Sequence, residues 1–290
     1  MPTEKQPISQ NSIRESYIDI KVSLSLLKEN WKAFVSTEIF ALAAFIFFII
    51  GISLVLFINR LFIPTDFPRP TAPNFLVIRA PFYILIFSVL IFYTFISSTY
   101  GLSHDIIISG DQFTEFENSF TYFKRHFVAY FLLSLLILWI PMAIEIDFHF
   151  RNFIEVTNDI FASGNNFDLI IDAFTLYSAQ YLLFVLLNLT LPSITDKGSL
   201  VKAFKQNFNI LIHNPKRIIA SWGIYFIIFS LPSFILIIIT FTIIRFIFSD
   251  LFFIIGILSL ILVLSSVIIG YPIMSLIATR IYATTSEKGH

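Results

Sequence analysis

The residues of this chain best suited to chemistry lie in one short stretch, EIDFHFRNFIE at 145–155. Glu145 and His149 are four residues apart, so they would share one face of a helix. A metal site would need about three or four side chains to converge, and Asp147 and Glu155 are the other candidates. The stretch also follows a long apolar run, where charged residues are expected simply to end a membrane span. This second interpretation is favoured, and the sequence predicts no metal site here.

Few other ionisable residues lie inside the apolar runs. His104 and Asp105, in YGLSHDIII, mark the end of the second run, and a polar span terminus explains both. Glu38 lies near the start of the first run, and Asp172 lies about one turn inside the fourth. A charge at the centre of a bilayer costs roughly 2.5–3.5 kcal/mol on insertion scales, but both side chains can reach an interface instead. This scarcity argues against a proton-coupled or ion-coupled pump.

The chain lacks several common sequence motifs of enzymes. It has no HExxH, GxSxG or Walker A pattern and no glycine-rich dinucleotide turn. It has no cysteine, which removes disulfides, thiolate metal sites and cysteine nucleophiles together. We therefore predict a non-enzymatic protein with no catalytic residue, no bound metal and no cofactor.

The composition indicates which solvent surrounds the protein. Hydrophobic residues make up 57% of the 290 residues and charged residues only 13%, whereas soluble domains have roughly 25% charged residues. Lipid is therefore the expected surrounding for most of the surface. Nineteen basic residues balance 19 acidic ones, so no overall basic excess suggests binding to nucleic acid.

Six segments are long and apolar enough to cross a bilayer as helices of about 20 residues. They are 36–59, 81–103, 127–146, 169–193, 218–244 and 251–279. The predicted fold class is all-α, a polytopic membrane bundle of six transmembrane helices forming one domain over 13–282. A disordered arm at 1–12 and a C-terminal tail at 283–290 are expected to flank it. The first apolar run is too long for a cleavable signal and is expected to remain as an anchor.

The orientation follows from lysine and arginine, which concentrate on the cytoplasmic side of membrane proteins. With the N-terminus inside, 14 of these residues fall on the cytoplasmic side and 5 on the outer side. The sequence thus predicts a protein of the cytoplasmic membrane with both termini in the cytoplasm. The outer segment 61–81 contains five prolines and is expected to be extended, whereas 148–168 has the spacing of a short surface helix.

Three segments that precede odd-numbered spans have the pattern of basic amphipathic helices lying on the cytoplasmic interface. They are 14–35, 113–130 and 199–213, and Asn214-Pro215 should let the last one turn upright into a span. The apolar positions of the first segment are Tyr17, Ile20, Leu24, Leu27, Trp31 and Phe34. Basic side chains at such helices reach headgroups while the apolar face sinks into the acyl boundary. The candidate headgroup contacts are Lys28, Lys32, Lys124, Arg125, Lys202, Lys205, Lys216 and Arg217.

The three segments are similar to one another in sequence. Anchored on Lys28, Lys124 and Lys205, they read LKENW, FKRHF and FKQNF, at intervals of 96 and 81 residues. The simplest description is a threefold unit of an interfacial helix and a two-span hairpin. The alternative is that any cytoplasmic helix entering a membrane would be basic and amphipathic.

The stretch NLTLPSITDKGSLVKAFKQNFNIL (188–211) carries a family resemblance. A span ending in proline and aliphatic residues is followed by an acidic residue and an Ala-Phe amphipathic helix. The residues that fit this pattern are Pro192, Ile194, Asp196, Ala203 and Phe204. The chain resembles the membrane domain of bacterial glycerophosphodiester phosphodiesterases and related six-span families of unknown function. The resemblance implies the membrane module without that enzyme's activity, because nothing in the chain supplies the soluble catalytic domain.

Uncharged polar residues are concentrated in the even-numbered spans. The candidates for the bundle interior are Ser97, Ser98, Asn188, Ser265 and Ser266. If they face inward, the even spans form the inner layer, where interhelical hydrogen bonds of about 0.6 kcal/mol each are their more common role. We expect a non-enzymatic membrane module or scaffold whose partners are the bilayer, its anionic headgroups and a protein in the membrane. The alternative is a transporter or permease-like protein for a lipidic or uncharged solute.

Overall fold

The described part of the chain is all-α, as predicted. The computed structural model describes residues 8–62, 87–136, 187–231 and 266–286, and in these ranges helices are joined by turns without any strand. Several features of the sequence lie outside these ranges, namely the stretch 145–155, the outer segment 148–168, most of the outer segment 61–81, Asp172 and Ser265. One helical stretch of the described residues, Ile13–Phe48, is long and apolar enough to cross a membrane. The other five predicted spans run partly beyond the described ranges.

Helix α1 (Ile8–Phe62) contains both the first predicted interfacial segment and the first predicted span. The helix is kinked at Asn30, within the predicted interfacial segment, where the backbone leaves the helical region with φ −111° and ψ 17°. The Asn30 amide nitrogen donates to the carbonyls of Leu26 at 3.2 Å and Gln112 at 3.4 Å, and its oxygen accepts from the Thr114 backbone N–H at 3.0 Å. The kink is therefore held by a side chain that also binds a distant segment, 112–114. Residues 8–12, expected as part of a disordered arm, belong to this helix.

The second predicted span is interrupted near its end. Helix α2 (87–96) is separated from α3 (Thr99–His104) by a turn at Ser97 and Ser98. The backbone tightens there, because the N–H of Ser98 binds the Phe95 carbonyl at 2.9 Å and that of Gly101 binds the Ser98 carbonyl at 2.8 Å. These bonds join residues three apart, as in a 3₁₀ turn. After α3, a π-helical turn (Asp105–Ser109) ends at Gly110, whose φ of 79° favours glycine.

Helix α4 (116–136) runs without a break from the second interfacial segment into the third predicted span.

The next described range starts at residue 187 and contains a short helix near its beginning. Helix α5 (Thr190–Lys197) starts after a turn at Leu189 and ends at Gly198, with φ 68°. Its position corresponds to that of α3 at the end of the second predicted span.

The third interfacial segment ends differently from the second. Helix α6 (Leu200–His213) ends at Asn214, with φ −130° and ψ 43°, and α7 (Pro215–Tyr225) starts with Pro215 at its first position. Proline is well tolerated there because the first turn of a helix has no internal partner for its N–H. The predicted break at Asn214-Pro215 is confirmed.

The last described segment completes the interior. Helix α8 (Tyr271–Ser286) follows a π-helical turn (Ser266–Gly270) and extends into the predicted tail. Helices α3, α5 and α8, at the ends of the three even-numbered spans, are almost wholly buried. Ser103 and Ser275 share a hydrogen bond of 2.8 Å between α3 and α8.

Candidate functional site

Helix α1 has polar side chains on its buried face. The buried polar residues recur at helical spacing and are Ser16, Asp19, Ser23, Asn30, Thr37 and Glu38. Of the apolar residues that we expected to face lipid, Tyr17, Leu24 and Trp31 are 63%, 47% and 53% exposed, whereas Ile20 and Phe34 are buried in the protein core. Water normally imposes the opposite distribution. The exposed face is therefore suited to an apolar surrounding.

An ion cluster fixes the first part of α1 to α7 and α8. Asp19, 1% exposed, accepts two hydrogen bonds from the Arg217 guanidinium, from Nε and Nη2, both at 2.8 Å. It also accepts one from Arg280 Nε at 2.8 Å. Ser16 Oγ donates to the Arg217 backbone carbonyl at 3.1 Å, and the half-exposed Glu15 lies 3.9 Å from Arg217 Nη1. One buried carboxylate thus joins three helices.

Arg217 therefore differs from the other candidate headgroup contacts. It is buried, because Asp19 binds it in the protein interior, and the assignment to lipid does not describe it. The seven others are all exposed, namely Lys28, Lys32, Lys124, Arg125, Lys202, Lys205 and Lys216. On α6 the two lysines lie beside exposed apolar side chains, since Val201 is 79%, Phe208 53% and Ile212 72% exposed.

The first carboxylate of the predicted spans, Glu38, is fully buried. Its Oε1 accepts a hydrogen bond of 2.9 Å from Thr99 Oγ1, at the first residue of α3. Its Oε2 is buried without a hydrogen-bond partner among the described residues. The adjacent Ile39 and Phe40 are 52% and 41% exposed, so Glu38 points into the bundle from a helix whose next residues face outward. The sequence indicated that this side chain could reach an interface, and the structure places it inside.

A second polar contact joins α3 to Asn188, which lies just before α5. The Tyr100 hydroxyl on α3 donates to the Asn188 side-chain oxygen, and the Tyr100 ring lies 5.9 Å from the Tyr271 ring on α8. The structure buries three of the predicted interior residues, Ser97, Ser98 and Asn188. The Ser98 hydroxyl and the Asn188 amide nitrogen have no hydrogen-bond partner in the described ranges. Ser266 begins the π-helical turn before α8.

Asp105, which follows α3, binds side chains of α4 and of the segment just before it. Its carboxylate accepts from Thr114 Oγ1 and Asn118 Nδ2 at 3.1 Å each and from the Tyr122 hydroxyl at 2.5 Å. Burial and the adjacent Asp105 carboxylate raise the pKa of Tyr122. Gly101 makes room for the Tyr122 ring, because a Cβ at Gly101 would overlap the ring atoms. The sequence described Asp105 only as a span terminus, although Asn118 and Tyr122 are one helical turn apart.

Two histidines lie beside this connection. His104 Nε2 is 3.7 Å from Asp196 Oδ1 at the end of α5, and Asp196 Oδ2 accepts a hydrogen bond of 2.7 Å from the Tyr282 hydroxyl. Burial and the nearby Asp196 raise the pKa of Tyr282. His126 stacks on the Tyr122 ring, with centroids 6.2 Å apart, and is buried. Burial, followed by the charges of Arg125 and His104, lowers the pKa of His126.

The second and fourth predicted spans end in similar ways. Thr99 and Thr190 each start a short helix after a turn, Asp105 and Asp196 follow six residues later, and a glycine with positive φ closes each segment. Both aspartates accept a tyrosine hydroxyl, from Tyr122 and from Tyr282 respectively. The interfacial breaks do not correspond in this way, since Asn30 and Asn214 lie at different distances from their anchoring lysines.

The candidate site consists of hydrogen-bonding side chains and not of a cluster of metal ligands among the described residues. Among the described residues no three His, Cys, Asp or Glu side chains converge as ligands for a metal ion. The chain matches no protein-family model, no curated protein and no solved structure. Its chemistry must therefore be inferred from the side chains. These offer the buried carboxylates of Asp19, Glu38 and Asp105, together with hydroxyls, amides and two imidazoles, among the packed helices.

Proposed function

We propose that the chain is a multi-pass integral protein of the cytoplasmic membrane, with six spans and both termini in the cytoplasm. In this proposal it acts as a non-enzymatic membrane module or scaffold that binds anionic lipid and a partner within the membrane. The observation that carries it is the arrangement of α1. There Asp19 and Glu38 are buried while the apolar side chains of Tyr17, Leu24 and Trp31 are exposed beside Lys21, Lys28 and Lys32.

This arrangement fits a helix at the boundary between headgroups and acyl chains. A Trp or Tyr ring placed there has its apolar body in lipid and its polar edge in the headgroup layer. Each nearby lysine adds roughly 1 kcal/mol of attraction on an anionic leaflet. Helix α6 supports the same placement, because Val201 and Phe208 are exposed next to Lys202 and Lys205. The kink at Asn30 and the break at Asn214 would turn the two interfacial helices into their spans.

The relationship to the membrane domain of glycerophosphodiester phosphodiesterases is part of this proposal. It is supported by the order of the residues that carry the resemblance. Pro192 and Ile194 lie in α5, Asp196 is at its end, and Ala203 and Phe204 lie in the following amphipathic helix. That order implies a shared membrane layout.

A second candidate function is transport of an uncharged or lipidic solute. It is favoured by buried polar atoms without hydrogen-bond partners in the described ranges, on Ser98, Asn188, Thr190 and Thr279. Such atoms cost about 1–3 kcal/mol each when unsatisfied, so a site that a solute completes would regain that energy. The even-numbered spans would line the pathway, since all four residues belong to these spans or to the turns within them.

The membrane proposal is tested by fractionation and by liposome binding. The protein should remain in the membrane after alkaline carbonate washing and require detergent for release. In liposomes, reconstitution should improve with anionic lipid, and replacing Lys28, Lys124 and Lys205 by Gln should weaken that dependence. The matched control replaces Lys5, Lys197 and Lys288, which lie outside the three predicted interfacial segments. Release by carbonate, or equal lipid dependence of both triple variants, would contradict the proposal.

The topology and transport arms use single substitutions. Because the chain has no cysteine, one introduced cysteine reports its own accessibility. Lys124→Cys should react from the cytoplasmic side and Thr157→Cys from the outer side. For transport, stopped-flow light scattering of proteoliposomes with glycerol as the uncharged probe should show faster swelling than protein-free vesicles. An Asn188→Ala variant should slow it, and equal rates with and without protein would exclude this second function for such solutes.

A further inference from the structure

We propose that Glu38 and Thr99, together with the interruption at Ser97–Ser98, form a binding site for a monovalent cation, a proton or Na⁺. Glu38 lies inside the first span on our assignment, and its side chain is fully buried. Ionisable residues in membrane spans are rare and usually face a functional site, because lipid cannot solvate them. The inference goes beyond the scaffold role and requires only that the described helices keep their packing.

The carboxylate is incompletely bound. Thr99 occupies Oε1 at 2.9 Å, whereas Oε2 has no hydrogen-bond partner in the described residues. No lysine or arginine of these ranges forms an ion pair with Glu38, in contrast to Asp19, which has two arginines. An unpaired buried carboxylate is costly. A cation or a proton on Oε2 would remove that cost without any rearrangement of side chains.

The backbone before Thr99 supplies the second observation. The second predicted span tightens to a 3₁₀ turn at Ser97 and Ser98, directly before the residue that binds Glu38, and Ser98 keeps right-handed helical angles of φ −65° and ψ −18°. A 3₁₀ turn inside a helix often marks a functional hinge. The Ser98 hydroxyl is buried and has no hydrogen-bond partner in the described ranges. Carboxylate and hydroxyl oxygens together are the ligands that hard cations such as Na⁺ prefer.

The groups that surround Glu38 are neutral or weakly acidic. From α8, Tyr271 lies close enough to Glu38 for the two side chains to interact electrostatically, and Tyr93 on α2 interacts with Tyr271 in the same way. Phe40, two residues further along α1, packs against Phe95 on α2 and against Phe116 and Phe120 on α4. Asp105 and His104 lie at the other end of α3, beyond Thr99. A bound cation would therefore have Glu38 as its counter-charge.

The purified full-length protein in detergent tests the site, with Na⁺ alone as the probe. Its unfolding temperature should rise with Na⁺ and reach a plateau, with choline chloride as the ionic-strength control. Glu38→Gln should abolish the Na⁺-dependent rise, whereas Glu29→Gln, an exposed carboxylate on the same helix, should preserve it. If a proton occupies the site, lowering the pH in choline alone should stabilise the wild type relative to Glu38→Gln, whose unfolding temperature reports the effect of the other titrating groups.

Two further measurements keep the test decisive if Glu38→Gln folds poorly. Thr99→Val removes a ligand and leaves the carboxylate, so it should shift the Na⁺ midpoint upward at least several-fold. In weak buffer, adding Na⁺ to the wild type should release protons detectable with an indicator dye if the two cations compete. A wild type whose stability responds to neither Na⁺ nor pH differently from Glu38→Gln overturns the proposal. Because membrane insertion does not enter these measurements, that failure is distinct from failure of the carbonate test.

Discussion

Asp19 and Arg217 are 198 residues apart in sequence and form a two-point ion pair, with both N–O distances at 2.8 Å. Both side chains are buried, and Arg280 binds the same carboxylate from α8. Helix α1 is therefore joined to α7 and to α8 through the side chain of Asp19.

Asp19→Asn should destabilise the protein by about 3 kcal/mol, because it leaves two arginines near a neutral amide and Arg217 is buried. The measurement is thermal or denaturant unfolding in detergent. Glu15→Gln is the matched control, since its carboxylate is half-exposed and 3.9 Å from Arg217. It should change stability by less than about 1 kcal/mol, as surface pairs do. Equal effects of the two variants would show that Asp19 does not anchor α1.

Gly101→Ala should destabilise the protein by about 2 kcal/mol or more, because the added methyl group would overlap the Tyr122 ring. The ring would be displaced and its hydrogen bond to Asp105 lost. Gly223→Ala is the control, since nothing lies within 4 Å of the position that a Cβ would take there, and it should be neutral or stabilising by up to about 1 kcal/mol in a helix. Both are measured by unfolding in detergent. In the Tyr122→Ala background, Gly101→Ala should lose most of its effect.

Acidification should destabilise the protein through His126. The folded state holds its pKa below the ordinary value of 6.5, so the unfolded chain takes up the proton first as the pH falls. Stability contributed by the neutral ring is present above the unfolded pKa and is lost as the pH falls from there toward the folded pKa. His126→Gln should flatten the unfolding temperature across this window, whereas His213→Gln, an exposed histidine, should not. Parallel curves for wild type and His126→Gln would contradict this assignment.

Tyr100→Phe should cost about 1–3 kcal/mol, because it leaves the buried Asn188 oxygen without its donor. Tyr17→Phe provides the comparison, as Tyr17 is 63% exposed and its loss of a hydroxyl should be nearly silent. Unfolding in detergent measures both. If the two substitutions have the same effect, the bridge between the interrupted spans contributes nothing to stability.

Local features of the fold are predictable from sequence. Asn214-Pro215 breaks a helix because proline acts on its own neighbours, and the structure has the break there. The kink at Asn30 is not predictable in this way, because its cause includes Gln112 and Thr114, which lie more than 80 residues away. Local pattern alone cannot reveal such a partner.

The face that each helix turns inward is harder to predict. Helical periodicity places Tyr17, Ile20, Leu24, Trp31 and Phe34 on one face, which we expected to face lipid. Ile20 and Phe34 are buried in the core, whereas the other three are exposed. The buried face is decided by distant partners, which periodicity does not contain. For the same reason the sequence assigns Arg217 to headgroups, although Asp19 holds it inside. The exposed positions of the lysines, which depend on local pattern, agree with what the sequence suggests.

The Asn30 amide has a mechanical consequence. The Asn30 side chain forms hydrogen bonds with the Leu26 carbonyl, one turn before the kink, and with the backbone of Gln112 and Thr114, just before α4. If the first part of α1 lies on a membrane surface, as proposed, a tilt of that part would pull on the start of α4 through these hydrogen bonds. A change in lipid packing around the adjacent Trp31 would then displace α4, so the Asn30 side chain would couple the bilayer surface to the neighbouring helices.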